Sequence, residues 1–269
     1  MYELPFGTVF KSPHSTERHW RTANENLVLL TEAGSRLHGI SVGGDDQDLL
    51  GVCVEPPEVM LGTQPFELYE YRSQPMGARS GEGDVDCNVY GMAKWIRLIC
   101  DGNPSQLLPL FAPDDKTLAV NYVGRSLRQN ASLFLARSHA KKFLGYLNGQ
   151  RMRMTGEKAG TPNRPELVEK YGFDTKFAST ALRIAIQGIQ LMKTGRLRLP
   201  MEDHEAKYLI KVRQGEYTLG EVLAKLGRYE EELLHAGQYS TVLRDQIDYD
   251  YVNGWLVSVY ERWWSGDRG

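Results

Sequence analysis

Cysteines, long apolar runs and signal-like segments are all scarce in this sequence. It has only three cysteines, Cys53, Cys87 and Cys100, and no two of them have the Cys-x-x-Cys spacing of a zinc or redox site. An odd, dispersed set excludes a disulfide framework and is typical of reduced core residues in a cytoplasmic protein. No apolar run approaches the ~20 residues of a membrane span. The N-terminal MYELPFGTVFK lacks the basic and apolar regions of a secretory signal. We therefore expect a cytoplasmic location and no membrane partner.

An excess of charge of one sign is also lacking, because 32 Lys and Arg stand against 34 Asp and Glu. The distribution is nevertheless uneven. The 125–164 segment has one acid, Glu157, and nine basic residues, namely Arg125, Arg128, Arg137, Lys141, Lys142, Arg151, Arg153, Lys158 and Arg164. Such a stretch can attract the phosphates of RNA or tRNA. A solvated helix face followed by a mobile loop explains it equally well.

Hydropathy periodicity predicts a sheet-forming first part and a helical second part. We expect an N-terminal helix over 14–26, capped at Ser12-Pro13, then strands at 27–31, 49–54, 66–72 and 84–87 and a helix at 89–100. After Pro113 only helices are expected, at 120–129, 131–147, 175–194, 203–212, 219–235 and 249–264. The 153–164 segment has the Gly, Pro and charge content of a mobile loop.

The most informative segment is residues 34–48, GSRLHGISVGGDDQD, which joins two of the predicted strands. Asp46 and Asp48 are two residues apart, so their side chains share one face of a strand. Convergent carboxylates suit a hard divalent cation. A Gly34-Ser35 turn after a buried strand leaves N–H groups and a hydroxyl available to a phosphate, and Arg36 adds positive charge. A simple turn and a solvated strand end are the alternative interpretation.

A third carboxylate follows in the segment Gly83-Asp84-Val85-Asp86-Cys87. Asp84 and Asp86 share one face of the predicted strand, and either could complete a cluster that binds two metal ions.

Together these motifs resemble the polymerase-beta-type nucleotidyltransferase superfamily. More narrowly, the chain is similar to predicted bacterial and phage nucleotidyltransferases associated with RNA repair. The similarity extends over most of the chain, through Tyr90, Lys94-Trp95, Gly102-Asn103-Pro104, Asp174-Thr175-Lys176, Arg183, Gly195, Pro200 and Arg213-Gln214-Gly215-Glu216.

The resemblance implies an α+β fold, with a polymerase-beta-like mixed-sheet catalytic domain over 1–115 and an all-helical domain over 116–269. It implies an enzyme that moves an NMP from an NTP to an acceptor hydroxyl and releases pyrophosphate. Two Mg²⁺ ions, with Mn²⁺ as the alternative, would support this reaction.

The resemblance also suggests a role for each candidate residue. Asp46 and Asp48 would hold both metal ions, and Asp86 would hold the ion that activates the attacking hydroxyl. The spacing from Asp86 to Tyr90 favours Asp86 over Asp84. The NTP phosphates would contact Gly34, Ser35, Arg36, Lys176 and Arg183; the last two lie seven residues apart on one predicted helix.

The acceptor stays open at this stage. An RNA 3′ end is favoured by the basic stretch, whereas a protein hydroxyl or a small molecule are the alternatives. A catalytically silent NTP-binding regulatory or toxin-antitoxin module is a rival hypothesis, against which the presence of all three carboxylates argues. A metal-dependent phosphohydrolase is a third. The sequence predicts neither the preferred NTP nor the oligomeric state.

Overall fold

The structure of the protein is a computed structural model that describes residues 11–12, 15–44, 46–75, 77–156 and 164–266. The strands are β1 (Leu27–Glu32), β2 (Gln47–Cys53), β3 (Leu68–Arg72), β4 (Val85–Gly91) and β5 (Thr117–Val120). The helices are α1 (Glu17–Glu25), α2 (Gly34–His38), α3 (Pro57–Met60), α4 (Met92–Cys100), α5 (Tyr122–Gln129), α6 (His139–Met154), α7 (Pro165–Tyr171), α8 (Thr175–Thr194), α9 (Asp203–Arg213), α10 (Leu219–Tyr239) and α11 (Tyr249–Trp264). Within the described ranges, none of the helices combines the length and apolar character needed to cross a membrane.

Contacts divide the chain into two compact units. The first unit comprises Met1–Cys100, Gln106–Phe134 and Ile247–Gly269, and the second comprises Asp101–Ser105 and Leu135–Gln246. These units differ from the predicted domains 1–115 and 116–269. The difference arises because β5 pairs with β1 and because Trp263 of α11 donates a hydrogen bond to Asn26, which follows α1.

The first unit is built on a five-stranded mixed sheet with the order β3-β4-β2-β1-β5. Strand β1 is antiparallel to both β2 and β5, and β3 is antiparallel to β4, whereas β2 and β4 are parallel. Buried apolar residues of these strands pack with α1 through Ala23 and the partly buried Trp20. A mixed sheet with helices confirms the predicted α+β, polymerase-beta-like fold class.

Several predicted elements have different bounds in the structure. The strand at 84–87 continues to Gly91, since Cys87, Val89 and Gly91 are buried in strand alternation, and α4 therefore begins at Met92 rather than residue 89. Strand β5 lies where the sequence pattern indicated only helices. Helix α1 begins after the Thr16 cap, three residues later than predicted. Pro13, His14 and most of the predicted loop at 153–164 lie outside the described residues.

The second unit is a helical assembly in which α8 packs against α6, α9 and α10. Helix α8 has the predicted bounds because the sequence carries a strong start signal and a strong stop signal. Asp174 accepts hydrogen bonds from the N–H groups of Lys176 and Phe177, and Gly195 ends the helix in the left-handed region at φ +68°.

A buried carboxylate ties α11 to the sheet within the first unit. Glu55 is 2% exposed and accepts hydrogen bonds from the Tyr260 hydroxyl at 2.6 Å and from Met92 N–H at 2.9 Å. The indole N–H of Trp264 donates to the Glu55 carbonyl at 2.9 Å. Burial raises the pKa of Glu55, because desolvation disfavours its charged form. Helix α11, the last helix of the chain, is therefore anchored to the sheet of the first unit.

Replacing Tyr260 by Phe should lower the free energy of unfolding by about 1–3 kcal/mol, because the buried Glu55 carboxyl loses a hydrogen-bond donor. Urea denaturation measures this change. Tyr251→Phe is the matched control, since Tyr251 lies on the same helix and is 58% exposed. Its effect should stay below about 0.5 kcal/mol. Equal effects of the two substitutions would contradict an anchoring role for Glu55 and Tyr260.

Candidate active site

Three carboxylates meet at one end of β2 and β4. Asp46 lies just before β2, Asp48 lies within it, and Asp86 lies within β4. One carboxylate oxygen of each residue lies within 4.8 Å of those of the other two, and all three side chains are partly buried. The structure thus brings together the aspartates that the sequence singled out.

The pairing of strands explains this convergence. Asp48 and Asp86 are direct register partners in the parallel pair of β2 and β4, so their side chains project from the same face. Asp46 shares that face because it precedes Asp48 by two residues. The carboxylate cluster is therefore a consequence of the sheet register.

Gly34 lies in contact with this cluster. It begins α2, so the predicted Gly-Ser turn is the first turn of a five-residue helix. Its φ is +59°, and a Cβ atom at this position would lie 1.9 Å from Oδ2 of Asp48. The Ala33 N–H donates to the Asp48 carbonyl at 2.8 Å. Glycine is required here both by the backbone conformation and by the neighbouring carboxylate. Ser35 follows half-buried, and Arg36 is exposed.

Asp84 belongs to the connection between β3 and β4 rather than to the cluster. Its carboxylate accepts hydrogen bonds from Gly81 N–H at 2.9 Å and from the Ser73 hydroxyl at 2.8 Å. The bond from Gly81 and then that from Ser73 lower the pKa of Asp84. Both oxygens thus stabilise a turn, and this geometry favours Asp86 as the third carboxylate of the site.

Asp86 is held by three side chains that the sequence analysis did not select. Arg72 and Gln74 donate to its Oδ1 at 3.2 and 3.0 Å, and the Ser80 hydroxyl donates to its Oδ2 at 2.7 Å. Gln74 also donates to Ser80. A hairpin pattern could have pointed to Arg72, which is the register partner of Asp86 in the antiparallel pair of β3 and β4. These contacts fix the carboxylate and offset part of its charge.

The donor set fits a hard divalent cation. It consists of carboxylate oxygens, which Mg²⁺ and Mn²⁺ prefer over nitrogen or sulfur ligands. Three carboxylates at this separation repel one another unless a positive charge lies between them. Asp46, Asp48 and Asp86 are therefore the described residues that would hold the metal.

Lys176 and Arg183 both lie on α8, as predicted, within the second compact unit. Lys176 is exposed in the first turn of the helix. Arg183 is half-buried, and its guanidinium donates to Gln187 Oε1 at 2.8 Å. Burial lowers the pKa of Arg183 to about 10. Contact of these two residues with NTP phosphates stays a prediction.

Most cations of the 125–164 stretch form ion pairs with acids from elsewhere in the chain. These pairs are Arg128–Asp114, Arg137–Asp245, Lys142–Asp101, Arg151–Glu230 and Arg164–Asp174. Lys158 lies outside the described residues. Among the described cations of this stretch, three have no acidic partner in the described part of the chain, namely Arg125, Lys141 and Arg153. The local charge excess expected from sequence is therefore concentrated on few residues, two of them on α6.

A mixed sheet that carries three aspartates beside a glycine-started helix fits a nucleotidyltransferase of the polymerase-beta type. The chain belongs to the RNA repair pathway DNA polymerase beta family, whose sequence model matches residues 13–258. The predicted family and enzyme class are thus confirmed.

Two solved structures are similar to this chain at low identity. Spectinomycin adenyltransferase from Enterococcus faecialis, solved with ATP and spectinomycin, is 11% identical over 81% of this chain and 94% of its own, with a TM-score of 0.37. A nucleotidyltransferase-like protein from Exiguobacterium sibiricum is 13% identical over 81% of this chain and 70% of its own, with a TM-score of 0.26. No curated sequence shows significant similarity to the chain.

Replacing Gly34 by Ala should weaken Mn²⁺ binding by about 10–100-fold, the usual effect of disturbing a residue that positions a metal ligand. The added Cβ must displace the Asp48 carboxylate. Isothermal titration calorimetry with Mn²⁺ measures the change.

Gly44→Ala is the matched control for this substitution. Gly44 has a similar φ of +66°, but a Cβ there meets nothing within 4 Å. Both variants should lose about 1–2 kcal/mol of stability from backbone strain, whereas only Gly34→Ala should lose metal affinity. Unchanged Mn²⁺ binding by Gly34→Ala would contradict the placement of Asp48 in a metal site.

Proposed function

We propose that the protein transfers an NMP from an NTP to an acceptor hydroxyl and releases pyrophosphate, with divalent cations bound by Asp46, Asp48 and Asp86. The observation that carries this proposal is the convergence of the three carboxylates at the paired ends of β2 and β4, beside Gly34. These carboxylates would hold Mg²⁺ or Mn²⁺ ions, whose chemistry would be to lower the pKa of the attacking hydroxyl and to neutralise the departing pyrophosphate.

Some residues of the site would bind the metal ions, and others would contact the substrate. Asp46 and Asp48 would hold both ions, and Asp86 the ion nearest the acceptor hydroxyl. Arg72, Gln74 and Ser80 keep Asp86 oriented toward the cluster through the bonds given above. The absence of a side chain at Gly34 makes room for the Asp48 carboxylate. The phosphates would contact the backbone of Gly34 and the Ser35 hydroxyl, with Arg36 as a nearby positive charge. Lys176 and Arg183 are further candidates for contact with the triphosphate.

The acceptor that we favour is the 3′ hydroxyl of an RNA. The family is described by its place in RNA repair, and two cations on α6 have no acidic partner among the described residues. A cytoplasmic location, predicted from the cysteine pattern, is compatible with such a substrate.

Substituting Asp86 by Asn should lower the rate of pyrophosphate release by about a thousandfold, because a metal ion contributes several kcal/mol to transition-state stabilisation and each 1.36 kcal/mol is tenfold in rate. Asp84→Asn is the matched control, since it makes the same change two residues away on a carboxylate that lies outside the cluster. A large loss in Asp84→Asn with activity retained in Asp86→Asn would reverse the assignment.

The acceptor is tested by incubating the enzyme with each labelled NTP and Mg²⁺ in parallel with candidate acceptors. These are RNA with a free 3′ hydroxyl, the same RNA with a 3′ phosphate, a protein extract and aminoglycosides. We expect label only in the RNA with the free hydroxyl. Label found only in protein or aminoglycoside would overturn the RNA acceptor and leave the transferase intact. Tight NTP binding without pyrophosphate release in any reaction would favour the silent regulatory module.

A further inference from the structure

Helix α6 lines a groove of about 390 Å³ within the second unit. The described lining residues include Lys141, Gly145, Gly149 and Arg153, which follow one another at four-residue spacing, with Lys142 and Tyr146 beside them. Residues at this spacing form a ridge that winds around the helix axis by about 40° at each step. The two cations at the ends of the ridge are separated by about 18 Å along the helix axis, at 1.5 Å per residue.

These terminal cations are available for a ligand. Lys141 and Arg153 are both exposed and have no acidic partner among the described residues. Arg153 lies 5.8 Å from the centre of the Phe177 ring, a contact that orients the guanidinium without neutralising it. In contrast, Lys142 also lines the groove, but it forms an ion pair with Asp101.

The glycines between the cations lower the surface of the helix. A Cβ atom at Gly145 or Gly149 would meet nothing within 4 Å, so no contact within the described fold requires glycine there. Alanine would favour the helix at both positions. Gly227 on α10 is similarly open, so glycine alone does not mark a site. The distinguishing feature of α6 is that its glycines lie between two cations that have no acidic partner among the described residues.

Tyr146 completes the groove with an aromatic surface. Its hydroxyl accepts a hydrogen bond from the Asn103 amide at 2.7 Å, which holds the half-buried ring in place. Aromatic rings beside a positively charged groove are a recurring arrangement for single-stranded nucleic acids, because bases stack on the rings while the backbone follows the cations.

We propose that this groove binds the backbone of the single-stranded end of an RNA. The proposal rests on the RNA acceptor proposed above and identifies where that acceptor contacts the helical unit. Cations about 18 Å apart match a polyanion with repeated charges better than the adjacent charges of one triphosphate. The glycines allow the backbone to approach the helix between them.

Fluorescence anisotropy with a labelled single-stranded RNA, without Mg²⁺ or NTP, tests the proposal separately from catalysis. The Lys141→Gln/Arg153→Gln double variant should bind more weakly. The slope of log K against log salt should fall by about 1.4, since each phosphate contact with a single strand contributes about 0.7. Lys207→Gln/Arg228→Gln is the control, because it removes the same charge from exposed positions of α9 and α10 outside the groove.

A second variant tests the groove without changing charge. Gly145→Ala/Gly149→Ala should raise the melting temperature and weaken RNA binding severalfold, because the methyl groups fill the space that the backbone would occupy. Gly227→Ala makes the same type of substitution on α10 and should raise the melting temperature with unchanged RNA binding. A purely structural role of the α6 glycines would not produce this combination.

The outcomes separate the groove from the proposed function. If wild-type protein extends RNA but both α6 variants bind RNA as it does, the groove assignment is overturned and the transferase stands. If the Lys207→Gln/Arg228→Gln control loses as much affinity and slope as the α6 double variant, the binding is diffuse and the proposal is likewise overturned. If wild-type protein binds no RNA, the groove and the RNA acceptor fall together. Asp86→Asn, which should lose transfer, is expected to bind RNA at least as tightly as wild type.

Discussion

The parallel pairing of β2 with β4 is the constraint on which the candidate site depends. It sets Asp48 directly beside Asp86, although 37 intervening residues separate them in sequence. A slip of one residue would turn Asp86 to the opposite face of the sheet and break the cluster. On its other side, β2 pairs with β1, so the chain leaving β1 places Gly34 against the Asp48 carboxylate. Three separate segments therefore meet because one strand is fixed on both edges.

Electrostatics then explains the surroundings of the cluster. Three carboxylates within 4.8 Å of one another repel one another unless positive charge is near. Arg72 supplies one such charge to Asp86, and the uncharged donors Gln74 and Ser80 donate hydrogen bonds to its two oxygens. A divalent cation would supply the charge that the protein does not. The neighbouring Asp84 differs from Asp86 because its hydrogen bonds hold a turn. The structure therefore distinguishes these two carboxylates, which look equivalent in sequence.

Part of the fold and of the candidate site was predictable from local signals in the sequence. The Asp46 and Asp48 pair, the flanking apolar strands and the capped ends of α8 all depend on residues close in sequence, and each lies where the pattern indicated. Strand β5 was missed because its four residues are too few to show alternation and it is defined by its pairing with β1. The partners of Asp86 and the acids that pair with the 125–164 cations come from distant segments. Periodicity carries no information about such pairs, so the predicted charge excess was larger than the one the fold presents.

The most direct test of the account is a crystal structure of the protein with Mn²⁺ and a non-hydrolysable NTP, with the metals located by anomalous scattering. We predict two peaks about 4 Å apart, coordinated by Asp46, Asp48 and Asp86 and by the phosphates of the nucleotide. A metal bound by Asp84 instead of Asp86, or a nucleotide bound with no metal at the three aspartates, would contradict the central claim.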